Sequence, residues 1–291
     1  MGYFLICHRG ALGDFILTWP ALYSLKAVLQ GYKFFGIGKK EYMRLAQEFG
    51  LIDSFIDMES VKLLDFFSGI KIPSEIPSVE GAVMWLKDGE KIASLLKKDA
   101  IFPVLSINPF PLKKIHTAYY HCISIKPYFP IMIPKNLYEC FPEIKIKPKF
   151  AFIHPGSGSE SKNCQLKFYC SIAEYLKNKG YNVAFLLGPV EQEKEIEHEL
   201  LDAYIVEKPE NVSRLAHVLM NSVIYIGNDS GVTHLSAFLG IPTIALYKST
   251  DPNIWGAIGK KVFKINVEDE NNALNAVYSC IDFLCKDIKY L

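Results

Sequence analysis

The segment Ile224-Tyr225-Ile226-Gly227-Asn228-Asp229-Ser230-Gly231-Val232-Thr233-His234-Leu235 decides how the chain is read. An apolar run closes at Gly227, small polar residues come next, and apolar positions recur at Val232, Leu235, Ala237, Phe238 and Leu239. That pattern predicts strand, tight turn, helix. In an open α/β sheet, ligands occupy the crevice beyond the strand C-termini. The first N–H groups of the following helix meet an anion there with unpaired donors and a positive dipole end. Gly227 and Gly231 would let backbone approach a ligand closely, Ser230 adds a hydroxyl, and His234 falls one turn beyond Ser230 on the same face. A purely structural reading is equally open, with Asp229 or Ser230 as an N-cap and His234 as a hydrogen-bonded core histidine.

The residues C-terminal to this segment extend the motif. Gly240-Ile241-Pro242 and Thr243 to Tyr247 read as a turn and another buried strand, and Thr250-Asp251-Pro252 with Trp255-Gly256 as a second loop at the same edge. The stretch GNDSGVTHLSAFLGIPTIALYKSTDP, starting at Gly227, resembles the C-terminal signature of the ADP-heptose:lipopolysaccharide heptosyltransferases, glycosyltransferase family 9. That family's pattern is close to G-x-D-[TS]-G-x-x-H-L-A-x-x-x-G-x-P.

Composition sets outer bounds. With 291 residues, half of them hydrophobic, the chain can hold two domains with separate cores. Its net charge of +1 argues against a dedicated nucleic-acid binder. Residues 1–150 carry 19 Lys+Arg and 14 Asp+Glu, or +5, and the remainder 13 and 17, or −4, so the N-terminal half is the basic one. Seven cysteines show no C-x-x-C pair and no ligand spacing with histidine, which points to reduced intracellular thiols rather than zinc or disulfides. No metal site is expected. The chain opens directly into a strand, and no apolar run approaches a bilayer span, so a cytoplasmic protein is expected, one able to work at the cytoplasmic face of the inner membrane.

In chain order, strands alternate with helices. Strands are expected at Tyr3 to Cys7, Lys33 to Ile37, Ser54 to Ile56, Ala82 to Leu86 and Pro103 to Ile107. Helices are expected at Asp14 to Leu29, Glu41 to Phe49, Val61 to Phe67 and Glu90 to Lys97. Pro20 should bend the first helix or split off a short segment. Between Asn108 and Lys149 the pattern dissolves into Pro-rich sequence with aromatic and basic residues, read as a crossover and linker. Within it, Lys113, Lys114, His116 and the Tyr119-Tyr120 pair are candidates for a surface facing an anionic, partly apolar acceptor or a membrane. A second series starts at Phe150 and closes with a helix from Asn271 to Tyr290 that could pack back on the first domain. The domains are therefore set at 1–149, an acceptor-side Rossmann-like unit, and 150–291, a nucleotide-sugar-binding one. The expected class is α/β, two Rossmann-like domains facing each other across a cleft, which the resemblance names as the GT-B fold.

Four further loops carry candidate chemistry. His8-Arg9-Gly10-Ala11-Leu12-Gly13-Asp14 is neither G-x-G-x-x-G nor a Walker loop. Asp14 could be a helix cap, but GALGDFILTWPAL resembles the family's G-x-[LM]-G-D-x-[LV]-x-T-x-P, whose aspartate is the proposed general base. Arg9 and the helix start would keep it ionised, with Arg9 and Gly13 on the acceptor side. HPGSGSESKNCQ, His154 to Gln165, is a Gly/Ser loop suited to a diphosphate. The resemblance to H-x-G-[ST]-x-x-x-K-x-W-P, here with one residue more before the lysine, implies Ser157 and backbone N–H groups around Gly158 as donors and Lys162 as a point charge. Asn163-Cys164-Gln165 departs from that pattern, which has Trp-Pro at its end. Glu191 in GPVE, one residue closer to its glycine than in the family's G-x-x-x-E, resembles that motif's glutamate, implying a ribose contact, and Lys248 stands where the family usually has glycine, able to add a phosphate contact or obstruct one.

The implied reaction is an inverting transfer of heptose, or a related sugar, from an ADP-sugar co-substrate to a lipopolysaccharide core-type acceptor. No resident cofactor or metal takes part. Asp14 would act as base, Lys162, Ser157, Ser230 and Gly231 would hold the diphosphate, and Asp229 and His234 would shape the sugar site. Two alternatives share these features: a nucleotide-sugar epimerase of the same fold, and a non-catalytic nucleotide-sugar binder.

Overall fold

The computed structural model describes residues 2–98, 100–188, 200 and 203–288. They form two compact units, Met1–Phe141 and Pro142–Leu291. In the first, β1 (Tyr3–His8), α1 (Leu12–Val28), β2 (Lys33–Gly38), α2 (Lys40–Glu48), β3 (Ser54–Asp57), α3 (Leu64–Phe67), β4 (Val79–Trp85), α4 (Glu90–Leu96), β5 (Val104–Ile107) and α5 (Thr117–Ile125) follow one another. The five strands are all parallel in the order β3-β2-β1-β4-β5. Phe4, Leu5, Ile6 and Cys7 of β1 are completely buried, as expected for a central parallel strand covered on both faces.

The second unit repeats the plan with β6 (Phe150–His154), α6 (Leu166–Asn178), β7 (Val183–Leu186), β8 (Ile205–Glu207), α7 (Val212–Leu219), β9 (Ser222–Asn228), α8 (Gly231–Phe238), β10 (Thr243–Tyr247), α9 (Pro252–Trp255), β11 (Val262–Asn266) and α10 (Glu270–Ile288). Its six strands, again all parallel, run β11-β10-β9-β6-β7-β8. Both orders reverse direction at their first strand. The crevice of each unit is therefore at the C-terminal ends of two particular strands, β1 and β4 in the first and β6 and β9 in the second.

Four expectations change. The units divide at Phe141/Pro142 rather than at 149/150, because the Lys147 N–H donates to Met220 O (2.7 Å) and the Lys149 N–H to Asn221 O (2.7 Å), fastening the connecting segment to the second unit. The last helix packs in the second unit as well. Ala273, Val277, Ile281 and Leu284 join α6 residues Phe168, Ile172 and Leu176 in one core, and Tyr175 stacks on Tyr278 with ring centroids 4.0 Å apart. Helix α1 runs unbroken through Pro20. Finally, α5 occupies part of the stretch read as linker and buries Ala118, His121, Cys122 and Ile125. Those positions do carry helical spacing, within a segment whose prolines and aromatics dominate its composition.

Gly227 proves to be a packing residue. A Cβ there would lie 2.3 Å from the hydroxyl and 2.8 Å from Cζ of Tyr225, two residues back and completely buried, so the bare backbone makes room for that ring rather than for a ligand. Gly227→Ala should therefore destabilise the second unit by about 1–3 kcal/mol, read as a lowered thermal midpoint. Tyr225→Phe, which removes the nearest atom, should recover part of that loss. An unshifted midpoint in Gly227→Ala would contradict the assignment.

Candidate nucleotide-sugar site

The C-terminal ends of β6 and β9 bring together most of the second unit's candidate residues. Asp229, 5% exposed, directly follows β9, and its N–H donates to Leu246 O at the end of β10 (2.9 Å). Its Oδ2 accepts from Lys162 Nζ at 2.6 Å and from Thr250 Oγ1 at 2.7 Å, and its Oδ1 lies 3.6 Å from His234 Nε2. Burial opposes ionisation of Asp229. The bonds from His234, Lys162 and Thr250 outweigh it and hold the carboxyl below the usual carboxylate range. Thr250 thus belongs to the site; its sequence loop was noted, its role was not.

Ser230 is the N-cap of α8, its hydroxyl accepting from the Thr233 N–H at 3.4 Å. The structural reading of this serine therefore holds. It leaves Gly231 and Val232, both partly exposed, to present the N–H groups that a helix start cannot use internally. His234, 4% exposed, is the next turn's contribution, and its Nδ1 has no protein partner among the described residues.

The loop after β6 departs from expectation at Ser157. The residue is 6% exposed and its hydroxyl lies 2.7 Å from both Ser159 O and the Asn163 side-chain oxygen, so its proton is engaged inside the loop rather than offered outward. Gly158 is exposed, and a Cβ there would meet nothing within 4 Å, so the fold itself does not require glycine at that position. Lys162 ends a 3-10 turn, Glu160–Lys162, and reaches back to Asp229.

Asn228, completely buried and not singled out in the sequence, organises the base of the site. Its side-chain amide donates to Pro155 O (2.8 Å) and to Asn163 Oδ1 (3.1 Å) and accepts from the Tyr169 hydroxyl (2.6 Å), which in turn accepts from the Cys164 N–H (3.3 Å). A polar side chain closing an otherwise apolar strand was the signal that could have found it. Cys164 itself is buried in the core beside Phe168 and Tyr169, and burial pushes its thiol up. Glu191 lies outside the described residues.

At the matching edge of the first unit, Asp14 is the third residue of α1 and its Oδ2 accepts from the Ala11 N–H at 3.3 Å. It is partly exposed. The Gly10 N–H donates to His8 Nδ1 (3.2 Å), and a Cβ on Gly10 would lie 2.8 Å from His8 Cε1 and 3.2 Å from Asp14 Oδ2, so glycine lets this turn fold between the two side chains. Gly13 is buried within α1. Arg9 is exposed, with its guanidinium 4.7 Å from the centre of the Phe67 ring.

Each unit thus presents charged or polar groups at the sheet edge where α/β proteins bind nucleotides, the class that folds of this topology define. The family model described as glycosyltransferase family 9 (heptosyltransferase) matches residues 119–282. The chain belongs to that family and is a glycosyltransferase. A putative glycosyltransferase of Haemophilus influenzae is 25% identical over 87% of this chain and 85% of its own length. Among solved structures, the E. coli heptosyltransferase WaaC with ADP superposes with a TM-score of 0.75 at 17% identity, covering 97% of this chain and 99% of that one. A family 9 glycosyltransferase of Veillonella parvula gives 0.75 at 16%, covering 98% and 97%. These likenesses establish the fold, two parallel-sheet α/β domains of the GT-B type. Among the described residues no helix is long and apolar enough to cross a membrane.

The first unit's edge also contains buried histidines. Trp85 Nε1 donates to His121 Nδ1 at 3.0 Å, and the His8 ring lies 6.4 Å from that of Trp85. Burial lowers His8 to about 3; burial, helped by repulsion from His8 and His116, lowers His121 to about 3. Unfolded histidine takes its proton near 6.5. Both rings therefore bind protons more readily in the unfolded chain, and the stability tied to them is complete above pH 6.5 and lost as the pH falls towards 3. The steepest loss is about 1.4 kcal/mol per pH unit for each ring. The thermal midpoint should fall between pH 7 and 5, and His121→Gln, which keeps an acceptor for Trp85, should roughly halve that fall. Parallel profiles for the two proteins would contradict the buried-neutral assignment.

Proposed function

We propose that the chain transfers a heptose, or a closely related sugar, from an ADP-sugar to a hydroxyl of a lipopolysaccharide core-type saccharide with inversion at the anomeric carbon. The observation that carries the donor half is the Lys162 ammonium held 2.6 Å from Asp229 beside the start of α8. A cation and a helix N-terminus at the strand-order reversal form a site for a nucleotide diphosphate. The family's description as heptosyltransferase, and the ADP in the E. coli WaaC structure, support the identity of the donor.

In the reaction, the acceptor oxygen attacks the anomeric carbon while the bond from that carbon to the distal phosphate oxygen breaks. The leaving electron pair goes to ADP, and the acceptor proton goes to the Asp14 carboxylate. Lys162 and the N–H groups of Gly231 and Val232 neutralise charge as it builds on the diphosphate. Asp229 and His234 orient the sugar, and Glu191 accepts from the ribose hydroxyls. Ser157 shapes the loop from within. These positive donors serve in place of a divalent cation, and no resident cofactor is needed. Lys113, Lys114 and Tyr119 are exposed, as is Leu112, and His116 and Tyr120 are partly so; these residues suit an anionic, partly apolar acceptor at the cytoplasmic face of the inner membrane.

ADP release from an ADP-heptose should require an added heptose-accepting core saccharide and should persist in EDTA. Asp14→Asn should lower kcat by roughly 10²–10⁴-fold while leaving donor affinity within about twofold. Sugar product from donor alone would replace this reading with an epimerase, and nucleotide binding without any turnover would replace it with a binding module. Activity lost in EDTA and restored by magnesium would overturn the cation-free mechanism.

A further inference from the structure

Residues 158–161 of the Lys162 loop are exposed. The 3-10 turn is closed by Lys162 N–H to Ser159 O (3.1 Å) and Asn163 N–H to Glu160 O (2.9 Å), Ser159 O also accepts from the Ser157 hydroxyl (2.7 Å), and the Lys162 side chain ends on Asp229 (2.6 Å). Further anchors lie just after it. Asn163 Oδ1 is held by Ser157 and Asn228, and the Cys164 N–H by Tyr169, all on the inner side. On the outer side, Lys248 Nζ donates to the Asn163 carbonyl at 3.1 Å and to Glu270 Oε1 at 3.2 Å, while both oxygens of Glu270 lie 3.3 Å from the Gln165 N–H. Lys248 directly follows β10 and Glu270 lies in the first turn of α10, where a carboxylate also complements the helix dipole.

We infer that Lys248 and Glu270 are positioning residues, a brace that grips the backbone of Asn163 and Gln165 from outside and so fixes where Lys162 presents its charge. The inference deepens the donor-site reading and rests on it for its consequence on binding. An exposed ion pair alone contributes little. This pair differs because each member also bonds a backbone group of the loop, Lys248 the Asn163 carbonyl and Glu270 the Gln165 N–H. It also accounts for Lys248 without a ligand contact, since its ammonium is engaged 3.1 Å from backbone and 3.2 Å from a carboxylate. A lysine that bound phosphate directly would instead be restrained by Glu270, and removing the carboxylate would free it.

That difference in sign supplies the test. The full-length protein and its Glu270→Ala, Lys248→Met, Lys248→Arg and double Lys248→Met/Glu270→Ala variants would be titrated calorimetrically with ADP. Amide exchange across residues 159–165 would be followed in the same proteins without nucleotide. The brace predicts that Glu270→Ala and Lys248→Met each weaken ADP binding by roughly 3–10-fold, the effect of losing one or two modest hydrogen bonds. The double variant should be no more than about twofold worse than either, and Lys248→Arg should stay near wild type. Exchange at Asn163 to Gln165 should quicken in the weakened variants at nearly unchanged thermal midpoint. Tighter or unchanged ADP binding in Glu270→Ala would overturn the brace. Should the wild-type protein bind no ADP, the donor reading fails. Exchange alone then decides the brace: faster exchange in Glu270→Ala upholds it and unchanged exchange overturns it.

Discussion

One buried carboxylate gathers the second unit's site. Asp229 is almost fully enclosed, and an ionised group taken out of water costs several kcal/mol unless its partners compensate. Its partners come from three places in the chain: Lys162 from the loop after β6, His234 from α8, and Thr250 from the loop after β10. Satisfying that single charge fixes three connections relative to one another. The same requirement explains why the lysine that could meet a diphosphate is already at the sheet edge, drawn to the carboxylate.

The topology makes such a gathering possible. Because β9 and β6 are neighbours while their following connections diverge to opposite sides, the residues just past both strands share one crevice. Asn228 fills its floor. With no solvent to bond, its amide is matched by Pro155, Asn163 and Tyr169, so the loop that carries Lys162 is tied to the strand that carries Asp229. The first unit uses the same arrangement for a different set of groups. At the ends of β1 and β4, neutral histidines and Trp85 form a buried floor, and Asp14 remains partly exposed above a glycine turn.

Much of this was legible in the residues. Buried parallel strands are apolar runs of four to seven residues, so β1, β6, β9 and β10 declared themselves, and the glycine-bearing loops after the first three marked the sheet edge. Of the residues gathered at Asp229, Lys162 and His234 were given roles and Thr250 was placed only in a loop at the same edge; Asn228, which ties the neighbouring loop, was given none. Illegible features share one cause, dependence on groups distant in sequence. Whether Ser157 offers its hydroxyl outward depends on Asn163 folding back over it, and the contact of Lys248 with Asn163 spans 85 residues. The domain boundary moved because two backbone bonds to Met220 and Asn221, invisible in composition, outweigh the Pro-rich character of the segment. Helix α5 was hidden by the prolines around it, although its buried positions keep the period of a helix.

The donor-site reading of the second unit requires that its Asp229–Lys162 edge be a site for an adenosine diphosphate group. Calorimetric titration of the wild-type protein with ADP, GDP and UDP, beside Lys162→Ala, tests this most directly. ADP should bind in preference to the other two, and Lys162→Ala should weaken it by about tenfold or more, the loss of one charge-assisted contact. Equal binding of all three nucleotides, or ADP affinity indifferent to Lys162, would contradict it.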